Sequence, residues 1–424
     1  MISRFVKDAI VYAIPMFLAK SIGLILLPIY TRHLGLVDFG FIEFIAAALS
    51  ILLLILPLEI NQAVARFLPE SNNNRQILII SSALWFTVTV FCIYSVIAYV
   101  FRYPIFELLN LPKKYIDFLP LIFATFLITA VVNLIQLQCR YTNQSIANIC
   151  INLGVVLTNL TVVIYFTKIS RLGIEQYFQS QILSGLVGTF LGIVFLLRKY
   201  GYLYMKINTK VLSRLLTFSM PMVISSIGIL LIGVIDKLII GSYLNLNELG
   251  HYGAAARIAA IVGFGFYVIS LVMTPLVYRE HKRPETKSLI ATILCLTMLV
   301  IAILLFFVYF YSEAIMRVIA GPSFEAGGKY IFCLTISAIF FHFYIFFLGM
   351  DISKNTNLLG KINFTSGILN LLFVVLFFPI YGVWGVIVAG LIANIIRLFG
   401  YIYFSQKHYP ISIENFASMK FWRN

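Results

Sequence analysis

The chain of 424 residues is 61% hydrophobic and only 11% charged, with a mean hydropathy of +0.98. Soluble domains run near half apolar and a quarter charged, so a single water-soluble core cannot hide this much apolar surface. The formal net charge of +15 is spread over short segments between apolar runs and forms no basic stripe, which argues against a nucleic-acid binder.

A helix needs about 20 apolar residues to cross the hydrocarbon layer, and helices satisfy their own backbone groups there. Such runs fill the sequence and lack the alternation of barrel strands. The first expected span, 10–30, is too long for a signal peptide and has no small-x-small cleavage site, so it reads as retained. It holds Lys20 beside Pro15 and Gly23, too far from either end to snorkel easily. The second span, 41–60, contains Glu43, and Glu59, Gln62 and Arg66 at i, i+3 and i+7 are expected on one helical face at its end. Arg66 there reads equally as a topological anchor or a substrate-facing group. Spans at 77–101 and 118–138 precede a fifth at 146–167 carrying Asn148, Asn152 and Asn159, and a sixth at 178–197.

The second group begins at 217–241, which contains Asp236 and Lys237, followed by 252–277 with Arg257. Adjacent helical residues point about 100° apart, so Asp236 and Lys237 are expected to pair with other helices, Asp236–Arg257 being one candidate pair. Spans follow at 288–311 and at 330–350, the latter with His342. For His342 and Glu43 an interhelical contact is favoured over proton relay. The eleventh span, 362–380, carries Asn363, Ser366 and Asn370 at i, i+3 and i+7. A short Pro379–Gly382 turn separates it from the twelfth, 382–404, where Arg397 shares a face with Asn394 and Tyr401.

Placing the N-terminus inside puts 19 of the 31 Lys and Arg residues in cytoplasmic segments, 8 outside and 4 within spans, so both termini are expected in the cytoplasm. Leu34 to Gly40 recurs 210 residues later as Leu244 to Gly250, Ile105 to Pro112 as Ile315 to Pro322, and Asn152 and Asn159 align with Asn363 and Asn370 at an offset of 211. Matches in order at nearly constant offset predict two parallel six-helix lobes, 1–205 and 206–424, with substrate between them. The five cysteines show no CxxC or Cys/His spacing, and no GxxxxGK[ST], GxSxG or HExxH motif occurs, so no metal site, ATP motor or hydrolase is indicated. Intramembrane charges cost about 2.5–3.5 kcal/mol each, so Lys20, Lys237, Arg257 and Arg397 are where function is sought. Amides in the fifth and eleventh spans either join helices, at about 0.6 kcal/mol per bond, or line a path for a hydroxyl-rich ligand.

Pro28 to Gly35 with Asp38-Phe39-Gly40, Glu59 to Glu70, and Ile235-Asp236-Lys237 through Ala254 to Arg257 resemble motifs of the Wzx-type polysaccharide flippases, whose superfamily includes MATE antiporters and lipid II flippases. The resemblance covers most of the chain and implies an all-α, MATE-like fold of about 12 spans in two lobes. It implies a flippase, not an enzyme, for an undecaprenyl-diphosphate-linked oligosaccharide (an O-antigen or capsular repeat unit) in the bacterial cytoplasmic membrane, working by alternating access. Lys20, Arg66, Arg257 and Arg397 are then diphosphate candidates, and Asn148, Asn152, Asn159, Asn363 and Asn370 sugar-path candidates. Coupling to H+ or Na+ through Glu59 or Asp236 is left open; no cofactor or nucleic acid is expected, and a polysaccharide polymerase with its chain-length machinery is the partner to look for. Rival readings are a MATE-type drug antiporter, which favours carboxylates over these cations, a lipid II-type flippase, which usually carries two further C-terminal spans, and a non-transporting membrane scaffold.

Overall fold

In the computed structural model, backbone is described for residues 2–142, 144–169, 172–353 and 356–410, and side chains for the same residues except 2–24, 145, 225, 271, 272, 275, 276, 279, 284, 356 and 357. No strand occurs among them. Among the described residues ten helices are long and apolar enough to cross a membrane, or eleven if the bent pair Thr209–Ile224 and Ser226–Gly233 is one span. The expected first span lies in a helix whose side chains are undescribed as far as residue 24, so that count does not include it.

Helix α1, Ile2–Ile55, is two helices merged across a kink at Gly35, where φ is 73° and ψ 172°. A Cβ at Gly35 would meet nothing within 4 Å, so glycine is needed there for its backbone freedom alone. This break separates the expected spans 10–30 and 41–60. At the far end Pro57 cannot donate to the carbonyl four residues back and its ring crowds it, which stops α1 at Ile55. Leu58 and Glu59 both adopt left-handed φ, 50° and 53°, before α2, Ile60–Phe67, restarts the helix. Glu59 therefore leaves the helical face expected to join it to Gln62 and Arg66; only the latter two, at i and i+4, lie in α2.

The helices that follow are α3, Asn73–Val100; α4, Arg102–Leu108; α5, Leu119–Tyr141; α6, Ser145–Ile169; and α7, Ile174–Tyr200. α7 buries Ser180, Ser184, Gly188, Gly192 and Leu196 at four-residue spacing, with Gly185 alongside. A Cβ at Gly185 would overlap Ile128, at Gly188 Val155 and at Gly192 Ile135, so the absent side chains let α7 approach α5 and α6 closely. Ile60, Val64 and Leu68 pack with Ile80, Ile135, Ile151 and Leu196 in one apolar core.

The rest comprises α8, Thr209–Gly233; α9, Ile235–Ile239, continued by a π-helical turn, Ile240–Leu244; α10, Leu246–Ala259; α11, Ile261–Glu280; α12, Pro284–Ala320; α13, Gly328–His342; α14, Gly349–Ile352; α15, Thr356–Tyr381; and α16, Val383–His408. The expected span 217–241 is thus interrupted near Val234. Gly382, with φ of 55°, makes the sharp turn between α15 and α16. Phe266, Val277, Ile339, Phe346 and Leu398 form a second apolar core.

These helices pack as two units that interleave in sequence. One comprises Pro15–Ser226 and Lys237–Gly250; the other comprises Met1–Ile14, Ile227–Asp236 and His251–Asn424. The insertion of Lys237–Gly250 into the first unit has a visible cause. A Cβ on Gly40 would overlap the Leu246 carbonyl, and one on Gly250 would overlap the Leu36 carbonyl. Leu36 and Gly40 stand 210 residues before Leu246 and Gly250, so the repeated loops exchange equivalent contacts, as two related surfaces do about a two-fold axis.

Candidate functional site

In the first unit, polar groups converge in two places. The Glu43 carboxylate is fully buried, and the Lys237 ammonium donates to its Oε2 at 2.6 Å. Lys237 reaches it from the inserted segment, as the adjacency argument expects. Nearby in sequence, the Tyr30 hydroxyl donates to Asn159 Oδ1 at 3.3 Å, and Asn159 Nδ2 to Ser180 Oγ at 3.5 Å, with Tyr177 edge-on to Tyr30. Asn159 is buried and joins α1, α6 and α7. Asn152 and Asn148 are only half-buried, and the Asn152 amide donates back to the Asn148 carbonyl and side chain, 2.8 and 3.1 Å away. The three expected path amides of α6 thus divide into one helix joint and two accessible groups.

Arg66 lies on the surface, its side chain 57% exposed, and pairs with Glu70 one turn on. Glu59 is half-buried at the left-handed break before α2. The Lys20 side chain lies outside the described residues.

In the second unit Asp236 Oδ2 accepts from the Tyr252 hydroxyl at 2.9 Å, and the Asn370 amide donates to the Leu231 carbonyl at 2.7 Å. Both residues turn an oxygen toward Gly390. A Cβ there would stand 3.7 Å from Asp236 Oδ2 and 3.9 Å from Asn370 Oδ1. A carboxylate, an amide oxygen and a phenol thus gather beside a bare stretch of α16, a hard-oxygen set of the kind that suits a small cation.

Arg397 is only 4% exposed. Its Nε donates to Asn363 Oδ1 and its Nη1 to the Phe341 carbonyl, each at 2.8 Å. The guanidinium sits 4.5 to 5.1 Å from the ring centres of Phe341, Tyr344 and Tyr401. Tyr401 also donates to Asn363 Oδ1, at 3.2 Å. Arg397 and Asn363 are therefore brought together, with the lobe's own dipoles and π faces around the cation. Asn394, expected on the same face, bonds instead to Ser337 of α13. Arg257 lies half-buried in the last turn of α10. His342 stacks on Phe266, a helix contact as expected.

Tyr401 is expected on the Arg397 face, but the roles of the Tyr30 and Tyr252 hydroxyls, and the bond from Tyr401 to Asn363, escape the sequence reading. Tyrosine occurs 24 times in the chain, and the hydroxyl partners of Tyr30 and Tyr401 lie 129 and 38 residues away, so no local spacing marks those bonds.

The fold is shared with solved transporters. A lipid II flippase, MurJ, in an inward closed conformation aligns with 96% of this chain and 89% of its own, at a TM-score of 0.74 and 17% identity. An inward-facing multidrug resistance transporter of the MATE family and MOP superfamily aligns with 97% and 99%, at 0.70 and 13%. The Vibrio cholerae MATE transporter VcmN in its bent form aligns with 98% and 99%, at 0.60 and 14%. At these identities the likenesses show a shared all-α fold, and the ten long apolar helices make the chain a multi-pass membrane protein. In sequence it is 23% identical over 398 residues to "Lsg locus putative protein 1" of Haemophilus influenzae, covering 89% of this chain and 94% of that protein. Residues 5–279, well over half the chain, match the family model described as polysaccharide biosynthesis protein, and the chain belongs to that family.

Proposed function

We propose that the protein is a flippase that carries an undecaprenyl-diphosphate-linked oligosaccharide, an O-antigen or capsular repeat unit, across the bacterial cytoplasmic membrane by alternating access. The observation that carries the reading is a polysaccharide-biosynthesis family match on a chain with the MOP transporter fold. A sugar cargo needs polar groups inside an apolar protein, and buried or half-buried amides supply them at Asn148, Asn152, Asn159, Asn363 and Asn370. A diphosphate needs cations in a low-dielectric setting, where attraction exceeds that in water. Lys20, Arg66, Arg257 and Arg397 are the proposed contacts. Of these Arg397 engages only if its cage opens, whereas Arg66 is already on the surface. The oxygen cluster of Asp236 and Asn370 is the proposed place for H+ or Na+ coupling, ahead of Glu59. No bond is made or broken in such a cycle, and a polysaccharide polymerase would take the product.

The test is deletion of the gene followed by extraction of lipids. Intracellular build-up of a diphosphate-linked repeat unit with loss of surface glycan is expected. Normal glycan without build-up, in a strain lacking any second flippase, overturns the reading. Changed drug sensitivity with normal glycan points to MATE-type export, and build-up of lipid II points to a lipid II-type flippase.

A further inference from the structure

Four cations meet at one end of the first unit, and for Arg75, Lys210 and Arg214 sequence reasoning sees only markers of topology. A crevice of about 200 Å3 is lined by Glu70, Ser71, Arg75, Lys210 and Arg214, with Phe67 at its apolar wall. Arg66 adjoins it through Glu70, so four cations stand against one carboxylate. Arg214 covers the Phe67 ring at 4.8 Å, fixing one wall.

Two long helices begin at this crevice, and both carry the wrong charge for a helix start. α3 is capped by Asn72, whose side chain accepts the Arg75 N–H at 3.1 Å, and Arg75 lies in its first turn with no acid there. α8 is capped by Asn208, which accepts the Val211 N–H at 3.1 Å, and Lys210 lies in its first turn, again with no acid. A helix N-terminus already bears a partial positive charge that favours anions, so added cations are unfavourable unless an anion joins them. Local charge set against the helix it sits on is a mark of function rather than of folding.

The two helix starts are also held in fixed register. Ser81 and Ser82 of α3, both buried, accept the N–H groups of Tyr204 and Asn208, at 2.9 and 3.0 Å, and Trp85 donates to the Tyr204 carbonyl at 3.1 Å. Below them Tyr200 donates to Gln76, which donates to the Leu68 carbonyl. Anchors that merely set topology need neither a crevice nor this strapping. We infer that the crevice between α2, α3 and α8 binds the phosphate of a lipid headgroup at the membrane surface, through Arg75, Lys210, Arg214 and the two helix N-termini. The proposed function bears on this only in adding a carrier diphosphate to phospholipid as a source.

The test uses the full chain in dodecyl maltoside, a phosphate-free detergent, titrated by calorimetry with farnesyl diphosphate and separately with dioctanoyl phosphatidylglycerol. The wild type is compared with Arg75→Gln/Lys210→Gln/Arg214→Gln and with the charge-keeping Arg75→Lys/Lys210→Arg/Arg214→Lys. At least tenfold weaker binding of one probe is expected in the glutamine variant, with most of it restored in the charge-keeping variant. Loss confined to farnesyl diphosphate assigns the site to the carrier; loss confined to phosphatidylglycerol assigns it to bilayer phospholipid. Equal affinity of wild type and glutamine variant for both probes, or no binding of either, overturns the inference. If the triple variant melts early, Lys210→Gln alone decides, with about threefold weakening expected and none overturning. Binding is read without transport, so the site stands or falls separately from the deletion experiment.

Discussion

Arg397 shows how a buried cation is tolerated in an apolar lobe. Its two hydrogen bonds go to neutral acceptors, Asn363 and the Phe341 carbonyl, and three aromatic rings close around it. Removing it strands the Phe341 carbonyl and opens a cavity between rings. Arg397→Ala is expected to cost roughly 2–4 kcal/mol, from hydrogen bonds to a charged group and a desolvated cation–π contact. Arg397→Lys should recover less than half, since an ammonium lacks the planar fork. Unfolding titrations in mixed micelles measure both, and a loss below about 1 kcal/mol for the alanine would show that the cage does not hold the lobe. The Glu43–Lys237 pair makes a different demand. Lys237→Met takes the ammonium away from the buried Glu43 carboxylate, at roughly 3–5 kcal/mol, while Glu43→Gln/Lys237→Met should regain much of that because the charge leaves with the cation. A double variant no more stable than Lys237→Met would contradict this. The sequence alone singles out Arg397, Asn363 and Glu43, because charge and amide within an apolar run are conspicuous. It cannot say that Arg397 faces Phe341 rather than solvent, since that depends on α15 and α13 arriving from 34 and 56 residues away.

The helices were legible because each span must be long, apolar and bounded by charge or by glycine and proline. Gly35 and Gly382 mark breaks that their spacing announces. What stayed hidden was the meaning of small residues. The sequence offers Gly40 and Gly250 as a repeat match, whereas the structure makes them the points where the two repeats touch. Likewise the run Glu59 to Arg66 looks like one helical face until Pro57 and two left-handed residues divert it. At Gly40 the added methyl of Gly40→Ala overlaps the Leu246 carbonyl, and that of Gly250→Ala overlaps the Leu36 carbonyl. Backbone yields less readily than a side chain, so each change is expected to cost roughly 1–3 kcal/mol. Both act on one close approach, so once the first has forced the loops apart the second meets less resistance. Thermal unfolding in detergent should find the double variant less than additive, in contrast to distant pairs. Full additivity would mean that the two contacts are independent and the exchange between repeats is not a single joint.

At the scale of the whole molecule, charge and contact can be checked against each other. The positive-inside count puts Arg66, Arg75, Lys210 and Arg214 on one side and Lys113 and Lys114 on the other. The structure groups the same residues without reference to a membrane. Arg75, Lys210 and Arg214 line one crevice, whereas Lys114 bonds to Asp38 at 3.2 Å, Tyr115 to Asp38 at 2.8 Å, and Asn110 to the Ser242 carbonyl at 3.0 Å. α3, Asn73–Val100, leads from the first group toward the second, and at 1.5 Å per residue its 28 residues exceed the roughly 30 Å of a hydrocarbon core. Sidedness is therefore common to the whole first unit, and labelling at a single residue fixes it for all the others. Lys113→Cys, on the sparsely charged side, is expected to react with a membrane-impermeant maleimide in intact spheroplasts, and Ser213→Cys, between Lys210 and Arg214, only after permeabilisation. The native cysteines give the background, and Cys92, exposed but within the apolar span of α3, is expected to be shielded by lipid. Reversed labelling would invert the topology and put the cationic crevice outside, away from the anionic lipid surface of the inner leaflet. Labelling of both positions from outside would mean that the two groups share a side, which the length of α3 forbids if it spans the membrane once.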